Sequence, residues 1–147
     1  EALAFLRTMG RVLHFWDDLI DRDKDVTDAT INACMYQALV ALPRNVFFRE
    51  NVEELTPILV SAIANWRIAT NIERDLTTSH RELGTAFIIR STYVDLVTMS
   101  AVIIGGIEHA VACGRELRAW AHQEGFGKYL DNLAAECRAR KDRDHVL

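Results

Sequence analysis

The sequence predicts an all-α fold, a single-domain bundle of five or six helices over residues 1–147, and two observations carry that expectation. Apolar residues recur at spacings of three and four along almost the whole chain, and no segment alternates apolar with polar residues over strand length. Half of the 147 residues are hydrophobic and about a quarter charged, with two prolines and seven glycines, the composition of one compact domain. At this length a chain buries roughly 68–70% of its unfolded surface, so a core needs neither disulfides nor a structural metal.

The first helix is expected from Ala2 to Asp21 or Arg22, with Phe5, Met9, Val12, Trp16, Leu19 and Ile20 facing inward. Asp23 to Asp28 connects it to a second helix that Thr27 caps, its hydroxyl accepting from an early backbone N–H. There Ile31, Cys34, Met35, Ala38, Leu39 and Leu42 follow a helical spacing, and Pro43 is the expected stop. A short segment, Asn45 to Leu55, holds Val46, Phe47 and Phe48 in one or two turns. Thr56 and Pro57 then read as cap and first residue of a third helix reaching about Leu76. A fourth, very apolar helix is expected from His80 or Arg81 to Cys113, with Gly114 ending it. Within it Gly105 and Gly106 either admit a close neighbour or mark a bend. Arg115 to Gln123 and Phe126 to about Arg140 form the last helices, parted at Gly125, and the polar tail 141–147 is expected to fray.

Charge and cysteine content narrow the function. Seventeen basic against twenty-one acidic residues give a net charge of −4, and without a basic block a nucleic-acid partner is disfavoured. Cys34, Cys113 and Cys137 are odd in number and form no paired motif, so neither a disulfide framework nor a zinc site is written, and a reduced, cytoplasmic protein is expected. The uncharged stretch Leu96 to Ile107 falls short of the ~20 residues that span a bilayer and reads as a buried helix segment, so no membrane partner is expected. The start does not resemble a signal peptide; because it opens on Glu1, further residues are expected upstream.

The dense chemical feature is the run from His14 through Asp17, Asp18, Asp21, Asp23, Asp25 and Asp28. On a helix Asp17 and Asp21 lie one turn apart, with Asp18 and His14 beside them, so three carboxylates converge within reach of a hard cation such as Mg²⁺. Like-charge pairs and acids at a helix C-terminus together cost on the order of 1–2 kcal/mol, which a bound cation would convert into coordination. Against this, at 100° per residue the aspartates centre almost opposite the apolar residues of the first helix, as they would on a plain solvated face. Asp25 and Asp28 are explained as the entry to the second helix. An EF-hand is excluded, since its glycine and glutamate positions hold Val26 and Asn32.

Asp17-Asp18-Leu-Ile-Asp21, followed by Arg-Asp23, resembles the first aspartate-rich motif, D-D-x-x-D, of class I isoprenoid synthases. The resemblance implies a helical bundle around a cavity, with Asp17, Asp18 and Asp21 holding Mg²⁺ against a substrate diphosphate. His14 fits the prenyl-diphosphate synthase version. The chain has about half the family's usual length, lacks the arginine pair after the motif and has no second D-D-x-x-D; Asn71-Ile-Glu73-Arg-Asp75 is the nearest stand-in. A complete enzyme is therefore expected to draw on a second subunit. The stretch from Trp16-Asp17-Asp18 to Leu42-Pro43-Arg44-Asn45, with Tyr93-Val-Asp95-Leu-Val, also resembles small proteins of tailed bacteriophages and prophages, which implies no particular activity.

Asp95, in the most apolar helix, is read as buried and paired with Arg67 or Arg90. Arg67, Arg90 and Asp95 are the weaker substrate-binding candidates, because arginines there would meet a diphosphate. Asn65 reads as a core amide. Glu73 is expected exposed, with joining the acidic cluster as the alternative, and Trp16, Trp66 and Trp120 as core anchors. The expectation is Mg²⁺-dependent binding or hydrolysis of a diphosphate-containing small molecule. The alternative is a non-enzymatic phage or prophage accessory protein acting by protein association, as a homodimer through the small residues Ala101, Gly105 and Gly106.

Overall fold

A computed structural model describes residues 1–21, 25–75 and 77–144, those from 139 on as backbone alone. The described residues are helical and contain no strand. Helix α1 (Ala2–Asp21) has the expected bounds. The start of α2 (Asp28–Tyr36) is capped as expected, Thr27 Oγ1 accepting from the Thr30 N–H at 3.2 Å. Of the expected connection from Asp23 to Asp28, residues 23 and 24 lie outside the described residues, as does Leu76, the expected end of the third helix.

Pro43 does not stop the second helix. The chain continues through a π-helical turn (Gln37–Ala41) into α3 (Leu42–Arg44). Widening to the π pattern, in which the Leu42 N–H reaches Gln37 O, re-registers the carbonyls just before a residue that donates no hydrogen bond. Asn45 caps α4 (Val46–Glu50) through its Oδ1 on the Phe48 N–H. The next helix, α5 (Val52–Arg74), begins ahead of the expected Thr56 cap, with Glu53 and Glu54 in its first turn, and Pro57 lies inside it.

Phe5 and Met9 of α1, Leu55 of α5 and Leu96 form the buried centre, with Leu13, Phe47, Phe48 and Ile58 packed around it. Phe5 stacks on Phe48 at 5.6 Å between centroids. The inner line of α1 differs from the expected one: Leu19 and Ile20 are exposed, whereas Leu13 packs on the core. Phe5, Met9, Leu13, Asp17 and Asp21 succeed one another at four-residue steps, and such a ridge winds slowly around a helix. The neighbouring helices follow that ridge, so Asp17 and Asp21 continue the core line.

The expected fourth helix is two. A capping box, with Ser79 Oγ on the Glu82 N–H and the Glu82 carboxylate on the Ser79 N–H, opens α6 (His80–Ile89). After a break at residues 90–92, α7 (Tyr93–Ala121) follows. It is an antiparallel hairpin. Gly106 has φ 78° and ψ −177°, and Arg118 Nη2 donates to Asp95 Oδ1 at 2.7 Å, although a straight helix would set these residues about 35 Å apart. Gly106 thus marks a bend, whereas Gly114 sits inside the second arm. The stretch Leu96 to Ile107 is buried in its first half alone: Leu96, Ser100 and Ala101 are 1%, 1% and 7% exposed, whereas Ile104 and Ile107 are 60% and 63% exposed. By length and composition α7 is the one described helix apolar enough to cross a membrane. Folded at Gly106, its arms are each about 20 Å long, against a hydrocarbon core of about 30 Å. Gly125, with φ 72°, opens α8 (Gly125–Asp144). That helix carries the backbone of the expected frayed tail as far as 144, and 145–147 lie outside the described residues.

Candidate functional site

Arg90 follows the last residue of α6, where a cation complements the helix C-terminus. Its Nη2 donates to Asp17 Oδ1 at 2.9 Å and to Asp21 Oδ2 at 2.8 Å, and its Nη1 to Glu73 Oε2. Four elements meet there. Asp17 and Asp21 come from α1, Glu73 from α5, and α8 sends the Tyr129 hydroxyl to Glu73 Oε1 at 2.6 Å. Trp66 Nε1 donates to Asp17 Oδ1 at 2.8 Å, and the Arg90 guanidinium lies 5.8 Å from the Trp66 ring centre. Trp16 packs on Trp66 with 4.4 Å between centroids. Arg74 Nη2 donates to Ile20 O at 3.3 Å, capping the end of α1, and lies 3.5 Å from Asp21 Oδ1.

Burial grades across this group. The Glu73 side chain is 4% exposed, that of Asp21 13%, that of Arg90 25% and that of Asp17 40%. Burial pushes the Glu73 carboxyl above its usual range; Arg90 and the Tyr129 hydroxyl pull the other way without cancelling it. Burial works against the charge on Arg90, yet Glu73, Asp17 and Asp21 outweigh it and hold the guanidinium charged. The Tyr129 phenol is pushed up by burial and by Glu73, so it remains a donor.

Arg90 lines two cavities. The larger, about 500 Å³, is walled by His14, Trp16, Asp17, Trp66 and Trp120. The smaller, about 260 Å³, lies against Glu73, His122, Tyr129, Asn132 and Glu136. His122 Nδ1 is buried without a hydrogen-bond partner, and its Nε2 lies 3.4 Å from Ser91 Oγ.

The structure brings together Asp17, Asp21 and Arg90 of the candidates read from the sequence. Asp18 is half-buried on the same end of α1. Glu73, expected exposed, belongs to the cluster, and the signal for it was present. Ala62, Trp66, Ala69 and Glu73 are all buried on one stripe of α5 at spacings of four, three and four. Tyr129 had no comparable signal, because α8 is largely polar. Arg67 is exposed and forms no part of the network. Asp95 is 48% exposed at its side chain and pairs with Arg118, not Arg67 or Arg90, because the hairpin returns Arg118 beside it. Trp120 is 58% exposed at the cavity mouth instead of anchoring the core. Ala101 is buried within the chain, so it presents no small-residue face with Gly105 and Gly106.

Among the described residues no three histidine, cysteine, aspartate or glutamate side chains are grouped to hold a metal ion. Asp17, Asp21 and Glu73 are disposed around the guanidinium instead, which occupies the place a cation would take. Comparison with protein-family models, with curated proteins and with solved structures finds no match to the chain.

Proposed function

We propose that the protein binds a diphosphate-bearing small molecule, in company with Mg²⁺, in the larger cavity at the wall where Asp17 meets Arg90, with Asp21 on the same guanidinium behind it. Charge carries the proposal: three carboxylates converge on one guanidinium, and the second arginine, Arg74, reaches only Asp21 at 3.5 Å. Among the described residues the cluster around Arg90 therefore sets three carboxyl groups against two arginines, and Asp17 carries it to the cavity wall. Mg²⁺ favours carboxylate oxygens and keeps sites for phosphate. On that basis Asp17 and Asp21 are the residues that would hold it, with Asp18 beside them. Arg90, released from the carboxylates, would then face phosphate oxygens in a bidentate pair. Trp16, Trp66 and Trp120 offer apolar surface for the rest of the ligand. The D-D-x-x-D resemblance supports the same chemistry.

Thermal unfolding in millimolar Mg²⁺ with pyrophosphate tests it. A ligand bound at a hundred times its Kd stabilises the folded state by about 2.7 kcal/mol, so the wild-type midpoint should rise by several degrees and that of Asp17→Asn/Asp21→Asn should not. An unchanged wild-type midpoint would contradict the proposal. A second function, a phage or prophage accessory protein acting by association alone, is favoured by the exposed aliphatic residues of α7, and it predicts that unchanged midpoint.

A further inference from the structure

The chain exposes more surface than a folded monomer of its mass. Its accessible area is 9766 Å², whereas a 16.7 kDa monomer is expected to expose about 7,600 Å². The excess, about 2,000 Å² over the whole chain, is of the same order as the roughly 1,000–2,500 Å² that one chain gives up in an obligate homodimer, and exposed aliphatic residues of α7 are part of it.

Ile104, Ile107 and Val111, each at least 60% exposed, gather at the hairpin turn and on the second arm of α7. That arm turns Ala110, Gly114, Leu117 and Ala121 inward, at spacings of four, three and four, and leaves Ile107, Glu108, Val111, Ala112 and Arg115 outward and exposed. Glu108 and Arg115 are seven residues apart, hence on one side of the helix, and bracket Val111 and Ala112 symmetrically. Neither forms an ion pair within the chain among the described residues.

Symmetry selects the occupant. A two-fold axis between Val111 and Ala112, with two arms antiparallel, sets Glu108 against Arg115 of the partner subunit and Arg115 against Glu108 of the partner subunit, closing both charge pairs over an apolar centre. A parallel copy in the same register sets like charges together, and a lipid surface offers neither charge a partner at fixed spacing. We infer that a second copy of this chain covers the outer face of the second arm of α7 in this antiparallel register.

Sedimentation velocity at micromolar concentration tests the inference, with circular dichroism confirming that each variant is folded. Wild type should sediment at about twice the chain mass. Glu108→Arg alone and Arg115→Glu alone each place like charges across the axis and should weaken the dimer by about tenfold or more. Glu108→Arg/Arg115→Glu restores both pairs and should restore the dimer. A monomeric wild type, a dimer indifferent to the single substitutions, or a wild-type monomer captured by phosphatidylcholine vesicles would overturn it.

Discussion

A guanidinium that three carboxylates approach is held by charge and, when removed, leaves those charges facing one another. Arg90→Met should therefore destabilise the protein by about 3 kcal/mol, the low end for breaking a buried pair because Asp17 is partly solvated. Arg90→Lys keeps the charge but not the fork that bridges Asp17, Asp21 and Glu73, and should lose less; chemical denaturation measures both. Glu73 sets a pH dependence of its own. Because its carboxyl is raised in the folded chain, its contribution is present in full below its ordinary value of 4.5 and is lost as pH rises through the folded value. Glu73→Gln removes that loss, so its midpoint should gain on wild type as pH is raised through this window. Asp75 and Glu82, lowered by hydrogen bonds from Thr77 and Ser79, act in the opposite sense as pH falls below the ordinary carboxylate range. At this scale the sequence showed which acids were out of place on α1. It did not show that Arg90, sixty-nine positions beyond Asp21, would answer them, because such a pairing depends on how helices cross and not on spacing within one.

At the scale of elements, some boundaries were legible, as at Thr27, at the start of α6 and at Gly125, whereas the Thr56 cap and the Gly114 stop were not. Thr27 and the start of α6 behave as their side chains dictate, since a cap is a local hydrogen bond. Pro43 and Pro57 both lie within helical structure, the first beside a π turn and the second past the first turn, because tertiary packing outweighs one missing donor. The hairpin in α7 hid behind continuous helical periodicity on both sides of two glycines. Gly106 holds a conformation open almost only to glycine, so Gly106→Ala should cost about 1–3 kcal/mol although its new Cβ would meet nothing within 4 Å. Gly114→Ala, in a helical arm with the same open space, should stabilise by up to about 1 kcal/mol. Urea denaturation of the two variants should thus give shifts of opposite sign. Equal destabilisation would contradict the assignment of the bend to Gly106.

The whole molecule sets a charged, half-closed centre beside an apolar outer surface. All-α architecture was readable from periodicity, since it needs only the period and no knowledge of partners. Which apolar residues would be covered was not, because Leu96 and Ile107 are alike as residues and differ only in that α1 and α5 pack over the first. The surface at Ile107 and Val111 and the cavity beside Arg90 lie on different parts of α7, so Glu108→Arg should leave ligand-induced stabilisation unchanged while weakening self-association. The most direct test of the central claim is calorimetric titration of Mg²⁺ with methylene diphosphonate, a non-hydrolysable diphosphate, into wild type and into Asp17→Asn/Asp21→Asn. Saturable binding that requires both components and disappears in the variant is the predicted result; heats indistinguishable between the two proteins would contradict it.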